Sequence, residues 1–288
     1  MSISKKRISV IGSGSWATAI VKILHDTQEE VGWYVREKKI IEYILEHKHN
    51  PSYTSSVSFD VSKLKLSNNI NDVVENSDIL IFVIPSTYLK SWLSPLTVSL
   101  NNKLVVSAIK GIVPQDDCTI AEFFNKNYNV PFDRIGVISG PSHAEEVALE
   151  RLSYLTFTCK TADNATELAT FFDTHYIKTN ISTDIYGVEY AAVLKNIYAI
   201  ATGIAHGLNY GDNFLSVLVC NSQYEIEKFL NKTYPDKRKQ STSPYLGDLL
   251  VTTYSQFSRN RTFGTMIGKG YSVKSALLEM NMVAEGYN

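Results

Sequence analysis

The stretch Ile8-Ser-Val-Ile11-Gly12-Ser-Gly14-Ser-Trp-Ala17 decides the architecture. A short apolar run, two closely spaced glycines and the start of a helical pattern (Ser15 to about His25) follow without a gap. In such a Gly-x-Gly-x-x-Ala turn the first glycine permits the tight bend. The second lets the backbone approach a pyrophosphate, and a small third residue lets helix and strand pack closely. Free N–H groups at the helix start face the anion. Six residues alone carry little weight, because glycine turns are common; their position between a strand and a helix supplies it.

Beyond this turn the chain keeps alternating. Val31 to Val35 reads as a second strand and Glu37 to His47 as a polar-faced helix. Ile79-Leu-Ile-Phe-Val-Ile84, closed by Pro85, is the strongest strand, with further strands at Leu104 to Ala108, Ile135 to Ile138, Leu152 to Thr158 and Tyr176 to Ile181. Strands alternating with helices imply a largely parallel sheet covered on both faces. From about Gly187 the pattern changes: Val188 to Gly207 is alanine-rich, apolar on nearly every side and too long for a strand, so it is a core helix. Phe214 to Leu230 and Val273 to Leu278 read as helices, and Lys232 to Ser243 as an exposed loop. The expected fold class is α/β: an N-terminal Rossmann-like, doubly wound, largely parallel sheet over residues 1–185, then an all-helical substrate and catalytic domain over residues 186–288.

Composition narrows the function. With 44% hydrophobic and 20% charged residues the chain can bury a sizeable core. A net charge of -1 gives no general pull toward nucleic acid or anionic membrane, so neither is expected as a partner. Cys118, Cys159 and Cys220 are far apart, which suits neither a disulfide framework nor a zinc site, and no metal is expected. The N-terminus lacks the long apolar region of a secretory signal. No apolar run approaches the ~20 residues needed to span a bilayer. A soluble, cytoplasmic protein is expected.

Several residues are candidates for chemistry. At the end of the second strand, Glu37 suits the 2′-hydroxyl of NAD, whereas Arg36 suits the 2′-phosphate of NADP; both also read as solvated helix-start charges. Ile84-Pro-Ser86 and Ala108-Ile-Lys110-Gly111 end strands on the usual ligand side of the sheet. Lys110 there is either a phosphate or substrate contact or an ordinary surface lysine. Lys195 lies within the apolar helix, where an unpaired ammonium is costly; it either emerges at the surface or faces a site that uses it. A partly desolvated lysine suits proton transfer. Ser258-Arg-Asn-Arg261 concentrates donors for phosphate oxygens, or forms a solvated basic patch. The Ser139-Gly-Pro-Ser142 turn places N–H groups at another helix start.

Together these pieces resemble the bacterial-type NAD(P)-dependent glycerol-3-phosphate dehydrogenases. The resemblance runs from Gly12 to the C-terminus. It rests on Gly-Ser-Gly-Ser-Trp-Ala, Val83-Ile-Pro-Ser86, Ile109-Lys-Gly111, Ser139-Gly-Pro141, Val193-Leu-Lys-Asn196, Leu246-Gly-Asp-Leu249, Ser258-Arg-Asn-Arg261 and Ala284-Glu-Gly-Tyr287. Glu189-Tyr-Ala-Ala and Tyr210-Gly-Asp-Asn resemble versions from the Bacteroidetes group.

The resemblance implies interconversion of dihydroxyacetone phosphate and sn-glycerol 3-phosphate with NAD or NADP, in a homodimer, feeding phospholipid synthesis. It implies Lys195 as the proton-transfer residue, with Lys110 and Asp248 beside it. Gly140, Ser142, Asp248, Ser258, Arg259 and Asn260 would line the glycerol-phosphate site together with both lysines. Gly12, Gly14, Ser15, Trp16, Arg36, Lys110, Ala144, Arg259, Val283 and Glu285 would touch the cofactor. Family members usually continue past the Glu-Gly-Tyr segment with further helices, so a C-terminally short version is expected. Two rival readings stand beside this one. The first is another dehydrogenase of similar fold acting on a hydroxyacyl thioester or hydroxy acid, which would favour a His–Glu pair. The second is a non-catalytic dinucleotide sensor.

Overall fold

The computed structural model describes residues 6–280 and 284–287. Strand β1 (Ile8–Ile11) is fully buried and leads through the glycine turn into α1 (Ser15–Thr27). Then follow β2 (Val31–Tyr34), α2 (Lys38–His47), β3 (Leu64–Ser67), α3 (Ile70–Glu75), β4 (Ile79–Phe82), α4 (Leu89–Leu93) and β5 (Leu104–Ser107). The sheet continues through α5 (Ile120–Tyr128), β6 (Ile135–Ser139), α6 (Ala144–Ala148), β7 (Ser153–Cys159), α7 (Ala162–Thr170) and β8 (Ile177–Ser182). Its order is β3-β2-β1-β4-β5-β6-β7-β8. All neighbouring pairs are parallel except β6 and β7.

Chain direction around the sheet reverses between β1 and β4, and ligands of open α/β sheets bind outside the strand ends at such a switch. Gly12, Val83 to Pro85, Lys110 and Gly140 follow the ends of β1, β4, β5 and β6, so one rim collects them. One strand, β3, escapes the sequence reading. It is a short edge strand whose Lys65 is exposed and whose Leu66 and Ser67 are half-buried, so little marks it as apolar.

After Ser182 only helices follow among the described residues: α8 (Ile185–Gly207), α9 (Asp212–Thr233), α10 (Asp248–Tyr254), α11 (Arg259–Gly268) and α12 (Val273–Glu279), with a wide π-helical turn at Ser243–Gly247. No described helix is long and apolar enough to cross a membrane. Ile185, Val188 and Ala191 of α8 join Phe82, Phe124 and Val137 of the sheet half in one apolar cluster, so the helical part packs directly on one sheet face. The segment read as an exposed loop is tied down in part. Arg238 is buried in an ion pair with Asp184, the residue that caps α8, and Tyr245 donates to the same carboxylate at 2.6 Å.

Helix α8 packs most extensively on α11. Their backbones touch where glycines face each other. A Cβ on Gly203 would lie 2.1 Å from the Arg261 carbonyl oxygen, and one on Gly264 would lie 2.1 Å from that of Ile200. Only glycine fits there, and the contact fixes where α11 begins relative to α8.

Candidate active site

Lys195 projects from the middle of α8 and is 4% exposed. Its ammonium donates to Asp248 Oδ1 and, at 3.0 Å, to Thr252 Oγ1. Asp248, 1% exposed, opens α10; Thr252 lies one turn further along and donates to the Asp248 carbonyl at 2.6 Å. The second carboxylate oxygen of Asp248 is 3.5 Å from Lys110 Nζ and accepts from Ser139 Oγ at 3.5 Å. Two ammonium groups thus share one carboxylate. Burial, with the positive charge of Lys110, holds Lys195 well below the ordinary lysine range, against the pull of Asp248. Burial alone would raise the Asp248 carboxyl, but Lys110 and Lys195 hold it below the ordinary carboxylate range.

Lys110 itself is positioned by backbone contacts. It donates to the Gly140 carbonyl at 3.4 Å, and its own carbonyl accepts from Asn196 Nδ2 at 2.9 Å. Ser142 Oγ also donates to the Gly140 carbonyl, at 3.1 Å. Asn196 follows Lys195 on α8, so one helix presents the proton-transfer candidate and steadies its neighbour.

These groups open into a cavity of about 190 Å³ between the glycine turn and the start of α11. On the turn side, Gly12 has φ +138°, and a Cβ there would strike the Val83 carbonyl oxygen at 2.2 Å. Gly14 differs: among the described residues a Cβ on it would meet nothing within 4 Å, and no side chain caps the α1 N-terminus. Open space before uncapped N–H groups suits a pyrophosphate, and Trp16 Nε1 is buried beside it with no hydrogen-bond partner among the described residues. The residues therefore fit a dinucleotide.

On the opposite side Ser258 caps α11 by accepting from Arg261 N at 3.3 Å. Arg259 reaches across the cleft and donates to Ser15 Oγ at 2.7 Å. Asn260 is buried and accepts from Gly286 N at 2.9 Å. Part-buried Glu285 also lines the cleft; burial raises its carboxyl above the usual range, while Arg259, Lys110 and Lys195 pull it down.

Gly14, Ser15, Trp16, Lys110, Ser142, Ala144, Lys195, Ser258, Arg259, Asn260 and Glu285 all line the cleft. Gly12, Gly140 and Asp248 sit behind its wall as supports. Arg36 is exposed at the end of β2, with its guanidinium 5.0 Å over the Trp92 ring, and Glu37 precedes α2 without capping it. Neither lines the cleft, nor does Arg261. Val283 lies outside the described residues. His143, Asn196, Thr252 and Phe257, which the sequence reading did not single out, also line it. No group of three His, Cys, Asp or Glu side chains suited to a metal ion occurs among the described residues.

Residues 7–165 match the family model of the NAD-dependent glycerol-3-phosphate dehydrogenase N-terminus, and residues 184–288 that of its C-terminus. The chain is 33% identical to a glycerol-3-phosphate dehydrogenase (NAD(P)+) of Clostridium botulinum, covering 97% of this chain and 84% of that one. It is 34% identical to the same-named protein of Bacillus subtilis, covering 98% and 82% respectively. The crystal structure of glycerol-3-phosphate dehydrogenase from Coxiella burnetii superposes with a TM-score of 0.89 at 26% identity, covering 98% of this chain and 86% of that one.

Proposed function

The chain belongs to the NAD-dependent glycerol-3-phosphate dehydrogenases, and from that premise we propose that Lys195, Lys110 and Asp248 carry its reaction. That reaction interconverts dihydroxyacetone phosphate and sn-glycerol 3-phosphate with NAD(P)(H), and supplies glycerol phosphate for phospholipid synthesis. One observation carries the assignment of roles: a buried lysine–carboxylate pair, with a second lysine on the same carboxylate, opens between a dinucleotide turn and an arginine-bearing helix start.

When bound, the nicotinamide supplies or takes up hydride at C2 of the substrate. Gly12, Gly14, Ser15, Trp16 and Ala144 would hold the cofactor, with Arg36 toward its ribose and with Arg259 and Glu285 lining the same cleft. In reduction, the Lys195 ammonium donates to the carbonyl oxygen as negative charge develops there. In oxidation, the neutral amine accepts the hydroxyl proton. Asp248 and Thr252 fix the direction of the ammonium, and Lys110 adds positive potential at the same oxygen. Gly140, Ser142, Ser258, Arg259 and Asn260 hold the rest of the substrate, its phosphate at the α11 start.

The division of labour falls between residues 1–185, which hold the cofactor, and 186–288, which bring Lys195 and the phosphate donors. The working form we propose is a cytoplasmic homodimer; exposed Phe214, Val217 and Tyr224 along α9 support association, and light scattering in solution tests it. The activity is tested by loss of reduced-nicotinamide absorbance on adding dihydroxyacetone phosphate, with NADH and NADPH separately. Rapid oxidation is expected. Bound cofactor without turnover would instead favour a sensor.

A further inference from the structure

His143 is the residue before α6, and it lines the cleft beside Lys110 and Lys195. Its ring lies against Phe257, with centroids 6.2 Å apart. Its Nε2 atom is buried and has no hydrogen-bond partner among the described residues. Trp16 Nε1 is also without one, but it sits at the dinucleotide turn and can only donate. The charged groups that act on the imidazole include Lys110, Lys195 and Asp248. Burial and the two lysines push it down to about 4, against Asp248 and the Val251 backbone, so the ring is neutral near pH 7.

A buried polar nitrogen left unpaired costs free energy that a ligand's hydrogen bond recovers. On the reading above, the substrate's phosphate lies at the α11 start and its C2 oxygen at Lys195. The remaining polar group of the three-carbon substrate is its free terminal hydroxyl. A hydroxyl both donates and accepts, so it satisfies Nε2 in either tautomer of a neutral imidazole. We propose that His143 Nε2 hydrogen-bonds the unphosphorylated terminal hydroxyl and makes the cleft select hydroxylated ketone phosphates over their deoxy counterparts.

This proposal rests on the dehydrogenase reading, and the test separates the two. The full chain and its His143→Phe and His143→Gln variants are assayed with NADH on dihydroxyacetone phosphate and on acetol phosphate, the same ketone without the terminal hydroxyl. The parent is expected to prefer dihydroxyacetone phosphate in kcat/KM. His143→Phe should reduce that preference by about 10-fold, through loss on dihydroxyacetone phosphate alone. His143→Gln, which keeps a polar end, should regain part of it.

Equal losses on both ketones, an unchanged preference, or a rise confined to the KM for NADH would each overturn the proposal. A parent inactive on dihydroxyacetone phosphate would refute the dehydrogenase reading instead. Thermal melting verifies that the variants fold; should His143→Phe fail there, His143→Leu is read in the same way.

Discussion

At the scale of single residues, the chemistry turns on how three charges share a buried space. On the proposed assignment, oxidation of glycerol 3-phosphate needs a neutral Lys195, so its rate should rise as pH climbs through the Lys195 pKa. Burial and Lys110 depress that pKa and Asp248 raises it. Lys110→Met therefore moves the rising limb to higher pH, and Asp248→Asn moves it to lower pH. Profiles of kcat against pH read both shifts, and movement in one common direction would contradict the assignment. Lys195→Met should lower kcat by about 10²–10⁴-fold while cofactor affinity, read by fluorescence titration, changes little. Lys195 stood out in the sequence because a cation interrupted an apolar helix, and Ser258 to Asn260 because donors were concentrated there. Thr252 and His143 gave no such signal. Thr252 matters only because a helix stacks it one turn beyond Asp248, and His143 follows the Ser139 to Ser142 turn with no local pattern of its own.

Elements add constraints that no single side chain shows. The two glycines before α1 do different work, and substitution separates them. Gly14→Ala meets no atom of the described residues within 4 Å. Its melting temperature should stay within a degree or two, while the KM for the nicotinamide cofactor rises about 10-fold or more as the pyrophosphate space fills. Gly264→Ala acts in the reverse sense, forcing a methyl against the Ile200 carbonyl. It should destabilise the fold by about 1–3 kcal/mol in urea unfolding, and an unchanged midpoint would count against the close helix contact. The same glycines explain why α11 was not legible as a helix. Gly264 and Gly268 lower helix propensity, and the segment opens on Arg-Asn-Arg. Its stability comes from packing on α8, which local pattern does not display. Strands β1, β2, β4, β5 and β6 were legible because buried parallel strands are near-continuous apolar runs; β3, at the edge, is not one.

For the whole molecule, His143 ties stability to acidity. An unfolded histidine takes up its proton near 6.5, whereas the folded ring resists protonation down to about 4. Between those values the unfolded chain binds more protons, so this group's contribution is lost as pH falls from about 6.5 to about 4, by on the order of 3 kcal/mol. His143→Phe lacks this loss. Its unfolding free energy relative to the parent should improve as pH drops from 7 to 4.5, and a constant difference would contradict the shift. The glycine contact between α8 and α11 also reaches beyond packing. Lys195 lies about two turns before Gly203, and Arg259 little more than one turn before Gly264. The two jaws of the site thus hang from a joint of bare backbone, which has no side chain to compress or trim. That joint is a caliper set to a single span, so a ketone with an extra methylene before its phosphate is expected to turn over with a lower kcat/KM in the same absorbance assay, and widening the cavity walls should not restore it.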